Sequence, residues 1–364
     1  MMPRAHLAAL CLTLLGGTAC ARDFSAPPGL ASLLERADAA LAAGESLGAQ
    51  AAYEQAAALQ HAARIEVGWV RARMQAGGYR QAVAFAAHAA GAHPEEAHGA
   101  LLYAHLLNAG GQTQAAHSVL SRARERLPGE PLLQAPLSSC PSHRSGVPDE
   151  LQLPSLGEPL PPGLVVAGSA LLLDDGQHAL VPLAMADEQT PLWVRNGLGR
   201  TQAARMVSRD VAAGTAVLAL AAPLDTPATL SRAPREAFPG SPAFVTGYAA
   251  SAHAKPAWPQ LCAGFLGTPP PDGGPRPLGI AIEAGSVGAP VFDSAGRLIG
   301  LVGPIGPTGT PTLLSARNVT SIPTSNDTSP RPLDEVYERS LRSSLQLIRR
   351  PLAMRTNETQ APPR

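Results

Sequence analysis

The sequence has 364 residues, of which 45% are apolar and 15% charged, and its formal net charge is zero. That length holds two domains of ordinary size with buried cores. The charge balance excludes an electrostatic nucleic-acid footprint, because the only crowded basic residues, Arg349 and Arg350, end a predicted helix. Arginine far outnumbers the one lysine, Lys255, and alanine is abundant, the usage of GC-rich coding, from which a bacterial origin is read.

The chain starts with Arg4, an apolar stretch from Leu7 to Leu15, and Thr18-Ala19-Cys20-Ala21, the layout of an export signal over residues 1–21. Two processing routes fit: cleavage after Ala21, or lipidation of Cys20 behind the small residues Gly17, Thr18 and Ala19. The expected location is the periplasm or outer membrane of a bacterium, with membrane association only through a lipidated Cys20. A membrane-spanning helix is not expected, since the apolar core is short and no second apolar span follows. Either route removes Cys11 and leaves Cys140 and Cys262 to pair in an oxidising compartment, the alternative being two unpaired buried thiols. Neither cysteine has a partner at metal-ligand spacing except the lone His143 beside Cys140, so no metal and no cofactor are expected.

Residues 30–131 are rich in Ala and Leu at helical spacing, with breaks at Gly44, Gly77-Gly78 and Gly110-Gly111, and predict paired antiparallel helices. Ala82, Ala89 and Pro94 recur thirty-four residues later as Ala116, Ala123 and Pro128, and Ala49 and Ala56 precede the first two by thirty-three. This pattern, with Trp69 and Tyr103 at the large packing positions, resembles the tetratricopeptide repeat over about three units. The resemblance implies a concave groove for a peptide or partner protein; the plainer reading is that the helices brace the following domain.

Residues 132–162 read as a linker: nine prolines fall between Pro128 and Pro162, without apolar periodicity. From Gly163 the texture changes to short β-type runs, Leu164-Val165-Val166, Ala170 to Leu173, Leu192-Trp193-Val194 and Ala216-Val217-Leu218, separated by Gly, Pro and Asp turns. An all-β domain is predicted over 163–318, followed by a tail, 319–364. Within the tail, Tyr337, Leu341, Leu345 and Ile348 predict an amphipathic helix over 333–350 that docks on the β domain. The sequons at Asn318, Asn326 and Asn357 are short chance patterns and receive no role.

Three segments of the β domain resemble the trypsin-like fold of the HtrA type, in order and at suitable intervals. Gly168 to Gly176 with Ala179 to Met185 is similar to the strand, turn and strand that deliver the catalytic histidine, whose place falls on Ala184, or on Leu183 if the gap is set differently. Arg209 to Leu220 is similar to the run bearing the catalytic aspartate, whose place is Gly214. Gly285-Ser286-Val287-Gly288-Ala289-Pro290 resembles the nucleophile loop, with Val287 at the serine. The resemblance implies an antiparallel double β-barrel, and the residue types imply a silent one. Valine cannot attack a carbonyl, alanine or leucine cannot take a proton, and glycine offers no carboxylate. Gly285 and Val287 would still present oxyanion-hole N–H groups in a vestigial loop.

The expected function is therefore an exported pseudoprotease or adaptor that binds proteins or peptides without cutting them. An alternative keeps an active serine endopeptidase by recruiting His178, Asp210 and Ser286 as a displaced triad. Plainer roles for these three are a turn, a loop, and a backbone-bonding residue. A second alternative is a structural envelope lipoprotein.

Overall fold

The computed structural model describes residues 27–134, 137, 151–186, 190–226, 230–282, 285–306 and 309–351. The export signal, Cys20, Cys140 and His143 lie outside them. No helix among the described residues is long and apolar enough to cross a membrane.

Six helices come first: α1 (Leu30–Ala43), α2 (Ser46–Leu59), α3 (Ala63–Gln75), α4 (Tyr79–Ala92), α5 (Ala97–Ala109) and α6 (Thr113–Arg126). Their starts recur at intervals of thirty-three or thirty-four residues, matching the period in the alanines. The alanines explain the packing, since Ala49, Ala82 and Ala116, like Ala56, Ala89 and Ala123, are at most 1% exposed. Small residues there let neighbouring helices approach closely. Gly68 does the same for Tyr53, whose ring edge lies 2.4 Å from where a Cβ on residue 68 would sit. Gly44, Gly77 and Gly111 end the first helix of each pair with positive φ, a conformation that costs glycine little.

The β half contains two closed barrels. In the first, β2 (Val165–Leu172), β3 (His178–Pro182), β6 (Thr215–Leu220), β5 (Arg200–Asp210), β4 (Leu192–Asn196) and β13 (Ser344–Arg349) follow one another around the ring, with the two-residue β1 (Leu156–Gly157) parallel to the start of β5. The second runs β7 (Pro242–Gly247), β8 (Gln260–Leu266), β9 (Arg276–Gly279), β12 (Thr312–Ser315), β11 (Leu298–Val302) and β10 (Pro290–Phe292), which returns to β7. Alternating apolar residues fill each interior: Ala170, Leu172, Val181, Val194, Leu218, Leu345 and Leu347 in the first, Val245, Cys262, Leu278, Val291 and Leu313 in the second. Arg195 of β4 is 1% exposed without a carboxylate partner; burial pushes its guanidinium down to about 10. Its N–H groups donate to Thr201 Oγ1, the Ala254 carbonyl, Gln346 Oε1 and Ser155 Oγ, joining four segments.

Two expectations need correction. The helix predicted over 333–350 stops at Ser343 as α7 (Leu333–Ser343), and the next six residues are β13, inserted between β2 and β4 as a full member of the first barrel. The spacing of Tyr337, Leu341, Leu345 and Ile348 fits a helix, but Leu345 and Leu347 also alternate, and eleven residues of β2 and β4 pair with β13 across the two ladders. Long-range hydrogen bonding overrides the local period. The barrel domain consequently reaches beyond residue 318.

The linker also differs from the expectation of a segment lacking apolar anchors. Leu133, Leu151, Leu153 and Leu156 are buried, and Arg71 of α3 donates to the Gln152 carbonyl at 2.8 Å. Leu151 belongs to the apolar cluster of Val67 and Val70, and Leu151 to Pro154 line one cavity together with Asp38, Leu41, Val67 and Arg71 of α1 and α3. That helical face is lined by the chain's own segment.

Helices and barrels share one continuous apolar core, which runs from Val70, Tyr79 and Leu106 through Tyr337 and Leu341 to Leu261, Phe292 and Leu298. At the junction α7 lies between them. Tyr337 meets Tyr79 edge-on at 4.4 Å between ring centres and donates to the Pro259 carbonyl. Arg342 reaches the Ala76 carbonyl at 2.6 Å, and Arg80 pairs with Glu338 at 3.1 Å.

Candidate functional site

The three sequence-matched positions converge where the barrels meet. β3 ends at Pro182 and turns through a short 3₁₀ segment, Leu183–Met185, leaving Ala184 exposed at the corner. The Leu183 N–H donates to the Gly214 carbonyl at 2.8 Å, and Pro182 pairs with Thr215, so residue 214 lies beside the start of that turn. The loop 285–289 comes from the second barrel and rests on β2. Its Val287 carbonyl accepts the Ser169 N–H at 2.9 Å, and Gly288 donates to Val302.

Glycines make this approach feasible. At Gly288, φ is +88 and a Cβ would lie 2.0 Å from the Ser169 carbonyl oxygen and 3.1 Å from Pro182. At Gly168 a Cβ would strike the Val287 carbonyl oxygen at 2.6 Å and Met185 at 2.7 Å. Ser169, fully buried, braces the floor: its hydroxyl donates to the Tyr248 carbonyl and accepts the Tyr248 N–H. Gly168 and Ser169 entered the sequence reading only as the beginning of a strand, because nothing local reveals the loop that settles on them.

The surroundings are apolar. Val287 is half-buried and packs with Leu183, Met185 and Ala186 against the interior of the first barrel. Gly214 closes the β5–β6 hairpin with φ of +66, stabilised by the Ala213 N–H bonded to Asp210 Oδ1. Among the described residues neither the Gly285 nor the Val287 N–H donates to a backbone carbonyl.

The displaced triad is not brought together. His178 pairs with Ala219 at one end of β3, whereas Asp210 pairs with Thr215, opposite Pro182 at the other end. Four residues of strand separate the two levels, roughly 13 Å. His178 Nδ1 instead lies 2.6 Å from Asp175 Oδ2. Burial raises the Asp175 carboxyl, but bonds from the His178 ring and from the Gln177 and His178 N–H groups outweigh it and hold the group below its ordinary range. Ser286 is fully buried with no hydrogen-bond partner for Oγ, so its hydroxyl faces neither His178 nor solvent.

Cys262 lies in β8, is 2% exposed and is disulfide-bonded. Its expected partner, Cys140, falls outside the described residues.

No curated protein matches the chain. Among solved structures, the chain is similar to the MamO protease domain from Magnetospirillum magneticum in its apo form, at 17% identity over 44% of this chain and 95% of that one, with a TM-score of 0.36. It is also similar to the Rv3671c protease in an inactive form, at 19% identity over 44% of this chain and 87% of that one, with a TM-score of 0.35. The trypsin-like peptidase domain model matches residues 163–301, the part of the chain that carries most strands of the two closed barrels.

Proposed function

We propose that the chain is an exported pseudoprotease in which tetratricopeptide-like helices are fused to a trypsin-like barrel, and that it holds protein or peptide segments without cleaving them. One observation carries the reading: Ala184, Gly214 and Val287 occupy the meeting point of the barrels, and the side chain at the nucleophile position packs into an apolar cluster. Without a base, a carboxylate or a nucleophile, such a corner can hold a carbonyl on the Gly285 and Val287 N–H groups but cannot carry an acyl group. The junction through α7 favours bracing as the role of the helices, with Arg71 of α3 also holding the Gln152 carbonyl.

The test uses the mature protein with a fluorophosphonate probe and with fluorescein-labelled, reduced and carboxymethylated α-lactalbumin. Expected are no labelled serine, no cleavage, and a rise in anisotropy that Val287→Glu reduces. Labelling of Ser286 or cleavage of the probe protein would overturn the silent barrel; no rise in anisotropy would overturn peptide holding. Export and anchoring belong to the same proposal. Intact mass from the envelope fraction should show loss of the residues before Cys20, with lipid on that cysteine, or of residues 1–21; an unprocessed cytoplasmic chain contradicts both.

A further inference from the structure

Away from the barrels, three side chains from separate places in the helical half meet, His61 in the α2–α3 turn, Glu66 in the first turn of α3 and His93 just after α4, and His88 on α4 approaches Glu66 beside them. Glu66 is 2% exposed, yet neither of its carboxylate oxygens has an aligned hydrogen bond. His61 Nε2 lies 2.7 Å from Oε1, His88 Nε2 3.7 Å from Oε1, and His93 Nε2 3.6 Å from Oε2. The buried Nε2 of His93 is likewise without a hydrogen bond. The ring centres of His88 and His93 lie 5.9 and 5.1 Å from that of His61.

An ordinary ion pair would point an imidazole N–H along a carboxylate lone pair. Here the polar atoms come close without that alignment, and three of them, both Glu66 oxygens and His93 Nε2, are buried. A buried carboxylate left unsatisfied is costly, and a cation placed between it and the rings removes the cost. The donor atoms of His61, Glu66 and His93 already lie within 4.8 Å of one another. Tetrahedral zinc, with bonds of about 2.0–2.1 Å to nitrogen and oxygen, needs donors roughly 3.4 Å apart, so a small inward movement suffices.

We propose that His61, Glu66 and His93 bind a zinc(II)-class ion, with His88 as a fourth ligand. Imidazole nitrogens with one carboxylate favour zinc over calcium or magnesium, which prefer oxygen sets. Glu95 Oε1 lies 3.9 Å from His93 Nδ1, beyond hydrogen-bond reach, and would have to close in to orient a ligating His93. His61 and His88 are each more than half exposed, which gives the ion its way in. The ligands span the turn after α2, α3 and the end of α4, so the ion staples the first two helical pairs. The expectation of no metal rested on the cysteines; these ligands have no motif spacing and meet only through helix packing.

The full mature chain, stripped with EDTA, is titrated with zinc against a chromophoric competitor and separately with cobalt(II). Expected are about one equivalent bound and a visible cobalt spectrum of four-coordinate type. Zinc should also raise the melting temperature of the wild type. Glu66→Gln and His93→Gln should each weaken binding at least tenfold. The double variant His61→Gln/His88→Gln alters only exposed side chains, preserves folding, and should abolish the melting shift. His117→Gln, exposed on α6, should change nothing. No zinc uptake by the wild type, or uptake undiminished in the double variant, would overturn the site.

Discussion

No single side chain decides what the barrel corner can do, because a nucleophile needs a base and the base an oriented partner. Val287→Ser restores the hydroxyl, but Ala184 offers no base and Gly214 no carboxylate, so the serine stays protonated and weakly nucleophilic. Expected are no fluorophosphonate labelling and no hydrolysis above buffer, with stability lowered by about 1 kcal/mol through lost apolar burial in the cluster with Leu183 and Met185. Adding Ala184→His and Gly214→Asp meets a further obstacle. Residue 214 has φ of +66, and a side chain there costs about 1–2 kcal/mol. Denaturant unfolding of the single and triple variants, read beside the labelling assay, checks both statements. The matched positions were readable because the flanking strands and the glycines of the loop keep their order; the apolar character of the corner was not, since Met185 and Val287 meet only across the two barrels.

Among the elements, β13 has the largest consequence for its length. Its six residues pair with β2 on one side and β4 on the other, and Leu345, Leu347 and Ile348 are fully buried. Leu347→Ala should cost about 2–5 kcal/mol, whereas Leu347→Asp, which buries a charge in the first barrel, should prevent that barrel from folding. A chain ending at Ser343 should fail in the same way. Native-state hydrogen exchange on the Val165–Leu172 and Leu192–Asn196 amides is the measurement; full protection in the truncated chain would contradict the role of β13. The helical pairs were legible because their 3.6-residue period and glycine stops are local. A closing strand that arrives from the far end of the chain has no such local mark, and its leucines satisfy both periods.

For the whole molecule, the shared core predicts that helices and barrels unfold together. Calorimetry should show one transition for the wild type, and Tyr337→Ala, which removes a fully buried ring between Tyr79 and Pro259, should cost about 3–5 kcal/mol and split it. Tyr337→Phe loses only the bond to the Pro259 carbonyl, about 1 kcal/mol, and should leave a single transition. A Cys140–Cys262 bond would add about 2–4 kcal/mol by restricting the unfolded chain. Non-reducing peptide mapping should recover the pair, and reduction should lower the melting temperature. Because Leu151 and Leu153 are buried and Arg71 holds Gln152, the segment from residue 151 should remain protected from protease after reduction.

The order of the parts, helical pairs and then an all-β domain, was written in the sequence, because apolar period, glycine stops and turn residues act between near neighbours; the double barrel came only from the resemblance of three segments. The three positions matched to catalytic groups rest on the same resemblance, each inside a continuous run such as Arg209 to Leu220 or Gly285 to Pro290. The tertiary structure alone decided that Ser344–Arg349 closes the first barrel, that Leu151–Pro154 lies on the helices, and that Glu66 meets three histidines. Each of these depends on partners far along the chain, and their contacts become favourable only once the surrounding core excludes water.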